Sequence, residues 1–239
     1  MVFGANSFAI VCYHRDVPAR GKFITFEGLD GSGKSTQLEK LARSLRRHGM
    51  SVTVTREPGG TTTGERIREV LLHSGTAGLA PMAEMALMFA SRAQHIQEVI
   101  LPALAAGNIV LCDRFTDSSE AYQGGGRKLG SQAVLQLHEI LCGNLQPDLT
   151  VVLDNEVSFS IERARRRNQK RVAGRSEKKV EKDENRFEQE SRAFFGRVRN
   201  TYLAIAQREP GRVKVVDARG TPDETHAIIM EVVRKKLKI

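Results

Sequence analysis

A three-layer α/β fold, with helices on both faces of a mostly parallel sheet, is what this sequence predicts, and three observations predict it. Five short strand-like runs lie at Lys22 to Glu27, Ser51 to Arg56, Asn108 to Asp113, Leu149 to Asp154 and Arg212 to Asp217. Several are almost continuously apolar, as parallel strands covered on both faces are. The stretches between them carry apolar residues at three- and four-residue spacing, the period of a helix that buries one stripe. Strand-like and helix-like stretches then alternate from Gly21 onward, which is the order that βαβ units require.

Taken in order, the first strand (Phe23, Ile24, Thr25, Phe26) runs into Gly28-Leu29-Asp30-Gly31-Ser32-Gly33-Lys34-Ser35-Thr36, a full match to GxxxxGK[ST]. A helix carrying Leu38, Leu41, Ala42 and Leu45 follows, so the motif has the strand–loop–helix context its chemistry needs. Glycines allow the backbone to aim N–H groups at phosphate oxygens, and the helix N-terminus adds favourable potential. Lys34 is placed to bridge the β- and γ-phosphates, and Ser35 to ligate Mg2+. Asp30 would be repelled by the phosphates that the loop holds, so it is expected to point toward a second substrate.

The second strand leads into Arg56-Glu57-Pro58-Gly59-Gly60-Thr61, and a helix over Gly64 to His73 follows. A long helix is predicted over Pro81 to Ala106, with Met82, Met85, Phe89, Ala93, Ile96 and Ile100 on one stripe. The third strand ends in Asp113-Arg114 and the fourth in Asp154, both at strand carboxyl ends where ligands bind in such folds. Asp113 is favoured for the Mg2+ shell because an arginine and a polar helix start follow at once; Asp154 has capping of the next helix as its alternative. Another helix is predicted over Glu184 to Arg208. The last opens at Thr221-Pro222-Asp223-Glu224, the pattern of a capping box with proline in the first turn.

The 239 residues show no internal repeat and no linker, so a single domain over 21–239 is expected behind an N-terminal extension, 1–20, of no assignable role. No apolar run reaches the roughly 18–20 residues that span a bilayer, which excludes an integral helical membrane protein. The extension has neither a basic start nor a small-residue cleavage site, so no secretory signal is expected. Three scattered cysteines, Cys12, Cys112 and Cys142, argue against a disulfide framework or a zinc site and for a reducing cytoplasm. The formal charge of +9 calls for an anionic partner.

Four segments narrow the choice among phosphate-binding proteins. With the GxxxxGK[ST] loop, Arg56-Glu57-Pro58-Gly59-Gly60-Thr61, Phe89-Ala90-Ser91-Arg92-Ala93-Gln94-His95 and Asp113-Arg114-Phe115-Thr116-Asp117-Ser118-Ser119-Glu120-Ala121-Tyr122-Gln123-Gly124 closely resemble the thymidylate kinase family in its bacterial form. The resemblance runs from about Lys22 to the end of the chain. It implies a P-loop kinase fold, with a five-stranded parallel sheet flanked by helices and a mobile lid, and transfer of the γ-phosphate of ATP to dTMP. It also implies a homodimer. In this resemblance Phe89 stacks on the pyrimidine, Arg92 donates to a ring carbonyl, and Arg68 grips the monophosphate. Glu57-Pro58 forms a bend beneath the substrate, and the sequence is compatible with either a cis or a trans Pro58. Gln123, donor and acceptor at once, suits a thymine edge. Ser119 and Tyr122 line the same pocket, and Arg114 supplies a fixed positive charge beside the phosphates.

The transfer needs positioning and charge neutralisation rather than a general base, because the acceptor is already an anionic oxygen. One branch of the family places an arginine in the phosphate loop where this chain has Gly31. The other takes it from the lid, and Arg163, Arg165, Arg166 and Arg167 stand at that place. The spacing favours Arg163, Arg165 and Arg167 without choosing among them. Beyond them, an insert around Gln169 to Asp183 departs from the family pattern. From Glu162 to Lys182 ten Lys and Arg face three Glu, a net of +7 out of the chain's +9. The excess charge is therefore a local lid, 162–183, next to a phosphate site, and not a broad nucleic-acid-binding face.

Overall fold

The computed structural model describes residues 21–73, 75, 78–173, 186–187 and 190–238, and of 167–173 the backbone alone. The extension 1–20 and most of the insert, 174–183, lie outside the described residues.

The five strands are β1 (Phe23–Glu27), β2 (Val52–Arg56), β3 (Ile109–Asp113), β4 (Leu149–Asp154) and β5 (Val213–Asp217). All pair in parallel, in the order β2-β3-β1-β4-β5. Each expected strand is present, with its N-terminal end shifted by at most one residue. Alternation along the central strands divides the interior into two layers. Ile24, Phe26, Leu111, Val151 and Leu153 point to one face, where they meet Leu38, Leu41 and Leu45 of α1 (Lys34–Arg47) and Ile229 and Val233 of the C-terminal helix. Phe23, Val110 and Cys112 point to the other, against Met85, Phe89, Ile96 and Ile100. Each such side chain, withdrawn from water, contributes about 1.5–3 kcal/mol.

The remaining helices are α2 (Thr62–Leu72), α3 (Pro81–His95), α4 (Leu101–Ala105), α5 (Thr116–Ser119), α6 (Ser131–Cys142), α7 (Val157–Ala173), α8 (Arg192–Arg208) and α9 (Pro222–Leu237). The long helix expected over 81–106 is one rod in three parts, because a π turn at Ile96–Ile100 joins α3 to α4. A second π turn, Glu120–Gly126, continues α5. The capping box at Thr221 and Glu224 is formed, each side chain bonding the other's backbone N–H. The helix expected from Glu184 begins only at Arg192, where Ser191 accepts the Phe194 N–H as its cap. Phe187 is thereby left outside the helix, free to reach the cleft. No described helix is long and apolar enough to cross a membrane.

The topology places the site. β1 lies between β3 and β4, so the loop after β1 emerges beside the ends of both, with Phe26 paired to Asp113 and to Val151.

Candidate active site

A cleft of about 540 Å³ opens over the carboxyl ends of β1, β2 and β3, a size that suits a small-molecule site. Asp30, Gly31, Gly33, Lys34, Ser35 and Thr36 line its floor. The loop makes its turns at Gly28, Gly31 and Gly33, whose φ values are 128°, 83° and 98°. Gly28, Leu29 and Ser32 complete the loop without lining the cleft: Leu29 and Ser32 are buried, and the Gly28 carbonyl faces Lys34 and Arg114. Lys34 Nζ donates to the Gly28 and Leu29 carbonyls at 3.1 and 2.9 Å. Burial, followed by repulsion from Arg114, lowers its pKa to about 8.

Gly31 touches more than the phosphate side. A β-carbon built there would stand 2.3 Å from the Ser160 carbonyl oxygen and 3.0 Å from the Ala164 nitrogen, so the backbone of α7 is docked on this glycine. Gly31→Ala therefore meets both a left-handed backbone and a collision. A loss of about 2–3 kcal/mol in thermal or urea denaturation is expected, and an unchanged midpoint would refute the docking.

Ser35 and Asp113, from α1 and the end of β3, touch directly, the hydroxyl donating to Oδ2 at 2.9 Å. A hydroxyl and a carboxylate side by side on a phosphate-binding floor form a hard-oxygen donor set, and that chemistry fits Mg2+. Asp154 stands apart from it. Arg199 grips both its oxygens, at 2.7 and 2.8 Å, so its role is an ion pair across the β4 end, and neither metal binding nor capping is needed to explain it.

Arg114 is the centre of the cleft. It has φ 73°, and among the described residues its guanidinium bonds to the cleft and to the layer directly behind it. Nη1 donates to the Gly28 carbonyl, Ser118 and Tyr202; Nη2 donates to Asp30 Oδ1 at 2.8 Å and to Tyr122. Asp30 is thus turned to the cleft wall and held by Arg114, with the Tyr122 hydroxyl 3.4 Å from its other oxygen. Beneath them, buried Glu27 accepts from the Phe115 N–H and from the Ser118 and Tyr202 hydroxyls. Burial, aided by Asp117, raises its pKa to about 7.

At the far end, the Glu57-Pro58 bond is cis, and Glu57 is a buried anchor rather than a free ligand. Its oxygens meet Arg92 Nε at 2.7 Å and His95 Nδ1 at 2.9 Å. Arg92 also donates through Nη2 to the Phe115 carbonyl and Ser119. Its Nη1 is buried with no hydrogen-bond partner among the described residues, and the residue lines the cleft. Arg68 is tied through Nη1 to the Pro58 carbonyl at 2.9 Å and also lines the cleft, as do Pro58, Ser119, Tyr122 and Gln123.

Phe89 departs from expectation. It is fully buried in the layer beneath the sheet, with the Arg92 guanidinium 4.7 Å from its ring centre. The helix turns its neighbour Met88 to the cleft instead. Residues one apart on a helix face about 100° away from each other, so a stripe long enough to include Phe89 puts Met88 on the adjacent face. The cleft also takes in Leu72, Arg56, Ser118 and Phe187, none of them singled out by the sequence. Phe187 had no local signal, since its position depends on the late start of α8; Ser118 was visible within its motif but without a distinguishing feature.

The lid arginines separate. Arg163 lines the cleft, its guanidinium 5.4 Å from the Phe159 ring centre. Arg165 lines a small crevice on the other side of α7 with Leu29 and Phe195. Arg166 pairs with Glu162 at the surface. The Arg167 side chain lies outside the described residues.

Comparison with known proteins agrees with this geometry. The family model described as thymidylate kinase matches residues 26–229. A thymidylate kinase of Pelobacter propionicus is 46% identical over 218 residues, covering 91% of this chain and 96% of that one. One from Pseudomonas syringae pv. syringae is 47% identical over 219 residues, covering 92% and 98%. The crystal structure of a thymidylate kinase from Ehrlichia chaffeensis superposes with a TM-score of 0.69 at 31% identity, over 90% of this chain and 99% of that one. The matched span holds the phosphate loop, the Arg92 pocket and the Asp113-Arg114 turn together, and the chain belongs to the thymidylate kinase family.

Proposed function

We propose that the cleft transfers the γ-phosphate of ATP to dTMP, giving ADP and dTDP, with the residue roles that follow. The reading is carried by one juxtaposition: a phosphate loop with Lys34 at one end of the cleft, and Arg92 and Gln123 at the other. The loop and Lys34 take the ATP phosphates. Arg92, with an unused buried N–H, suits a carbonyl of the pyrimidine; Gln123 suits its N3 edge; Met88 offers the ring an apolar wall. Arg68 and Arg114 flank the acceptor phosphate. Ser35 and Asp113 would hold Mg2+, which when bound neutralises charge on the phosphate oxygens. No general base is assigned, because the attacking oxygen carries its own charge.

ADP release measured by a coupled assay, with and without dTMP, tests this directly. Turnover that requires dTMP is expected. ATP hydrolysis that ignores dTMP and responds to DNA or RNA would replace this reading with a nucleic-acid-dependent ATPase.

Among the lid arginines, Arg163 is the one we assign to the transferred phosphate. Arg163→Ala is expected to lower kcat by about 10²–10³-fold, below the upper range for an inserted arginine because Lys34 and Arg114 remain. Arg166→Ala, whose partner is at the surface, is expected to stay within threefold. Steady-state kinetics at saturating ATP and dTMP separates them, and equal losses would remove Arg163 from this role.

A homodimer and a cytoplasmic setting belong to the same proposal. Leu135, Ile140 and Leu141 leave α6 with an exposed apolar face, which suits helix packing between copies; sedimentation equilibrium measures it. Cys112 and Cys142 are buried free thiols, which suits a reducing compartment.

A further inference from the structure

Glu84, on α3, is fully buried and has no part in the chemistry assigned above. Its carboxylate gathers donors from two parts of the chain, the second π turn with its C-cap Arg127 and the segment at Arg186. Gln123 Nε2 donates to Oε1 at 2.7 Å. Arg127 Nε donates mainly to Oε2 at 3.1 Å and at longer range to Oε1 at 3.3 Å, and its Nη2 pairs with Oε2 at 3.0 Å. Arg186 Nη2 forms an ion pair with the same Oε2 at 2.7 Å, so both guanidinium groups converge on Oε2. Arg186 in turn donates to the Leu71 carbonyl, and its neighbour Phe187 lines the cleft.

We propose that Glu84 sets the hydrogen-bonding sense of the base pocket: by holding the Gln123 nitrogen, it leaves the Gln123 oxygen to the ligand and selects a pyrimidine that carries a proton on N3. The chemistry is one-directional. A carboxylate paired with two guanidinium groups only accepts, so the end of the amide that faces it must be the nitrogen. Gln123 is itself 1% exposed and lines the cleft, and the amide has only one other end to offer. Thymine and uracil donate at N3, whereas cytosine accepts there. An amide oxygen against the cytosine N3 sets two acceptors face to face in a site with little water, and neither finds a partner. Glu84 is therefore a positioning residue for specificity, acting through Gln123.

The inference rests on the dTMP kinase reading given above, and Glu84→Gln tests it. Arg127 and Arg186 bring only donors, so they take the oxygen of the introduced amide. Its nitrogen then faces Gln123, which must turn its own amide over and present nitrogen to the pocket. The ratio of kcat/KM for dTMP to that for dCMP is expected to fall about 10–100-fold, mainly through KM for dTMP, with KM for ATP unchanged. A folded variant, judged by its thermal midpoint, that keeps the parent ratio within threefold overturns the proposal. The unsubstituted enzyme gives a second measurement should the variant not fold. In its dTMP complex, the Gln123 side-chain amide protons should show NMR contacts to Glu84 and none to the base; contacts to the base overturn the proposal. A parent enzyme that ignores dTMP would remove the underlying function. A parent that prefers dTMP, with a variant that does so equally, would remove only the role of Glu84.

Discussion

Lys34→Ala is expected to lower phosphoryl transfer by about 10³-fold or more while leaving the fold intact. The lysine is buried and, among the described residues, donates only to the Gly28 and Leu29 carbonyls. Each carbonyl keeps another donor, Arg114 at Gly28 and the Ser32 N–H at Leu29, so the loss of Lys34 opens little of the core. What is lost is the cation that meets charge spreading over the transferred group, in a site where burial makes that charge count. The free amine, lowered to about 8, is half protonated near that pH. ATP binding restores the proton, because a polyanion favours the charged form. Calorimetry at pH 8 in buffers of different ionisation enthalpy should therefore register uptake of about half a proton per site. Above that pH, kcat/KM for ATP should decline. Lys34→Ala should abolish the uptake; uptake that persists in the variant would place the proton elsewhere.

How far such a site can be read from sequence depends on what holds each residue. The strands were legible because their apolar runs answer only to the two layers they separate. The phosphate loop and the Ser35–Asp113 contact were legible because backbone geometry alone dictates them. Phe89 was not, because an apolar stripe does not say which of two adjacent helix faces meets solvent; the buried guanidinium of Arg92 occupies its ring. Asp154 misled for a related reason: its partner, Arg199, lies 45 residues away and carries no local signal. The lid arginines are spaced within two turns of α7, so only the docking of that helix on Gly31 distinguishes Arg163 from Arg165. Arg114 was legible as a single positive charge beside Ser118 and Tyr122 of its own motif; its other three partners, Gly28, Asp30 and Tyr202, lie 84 to 88 residues away and carry no local signal.

Those partners make Arg114→Met the other substitution of large effect. Turnover is expected to fall about 10³-fold, and stability about 2–4 kcal/mol, somewhat below the roughly 3–5 kcal/mol of a fully buried pair because Asp30 is 31% exposed. The substitution removes the charged partner of Asp30, takes a donor from the Gly28 carbonyl, and frees Ser118 and Tyr202 from the arginine that orients them. Arg114→Lys should recover little of either quantity. One ammonium cannot reach Gly28 and Asp30 and the two tyrosines together, which the planar fork does. The two effects can be separated. Saturating ATP at 10 °C refills the folded population by mass action, so a purely structural role predicts that the rate returns with the fold. A charge placed beside the phosphates predicts that folded, nucleotide-bound enzyme remains slow. Recovery of the parental rate under those conditions would reduce Arg114 to a brace for the loop; a persistent deficit, in an enzyme shown to be folded and loaded, assigns it to the transfer itself.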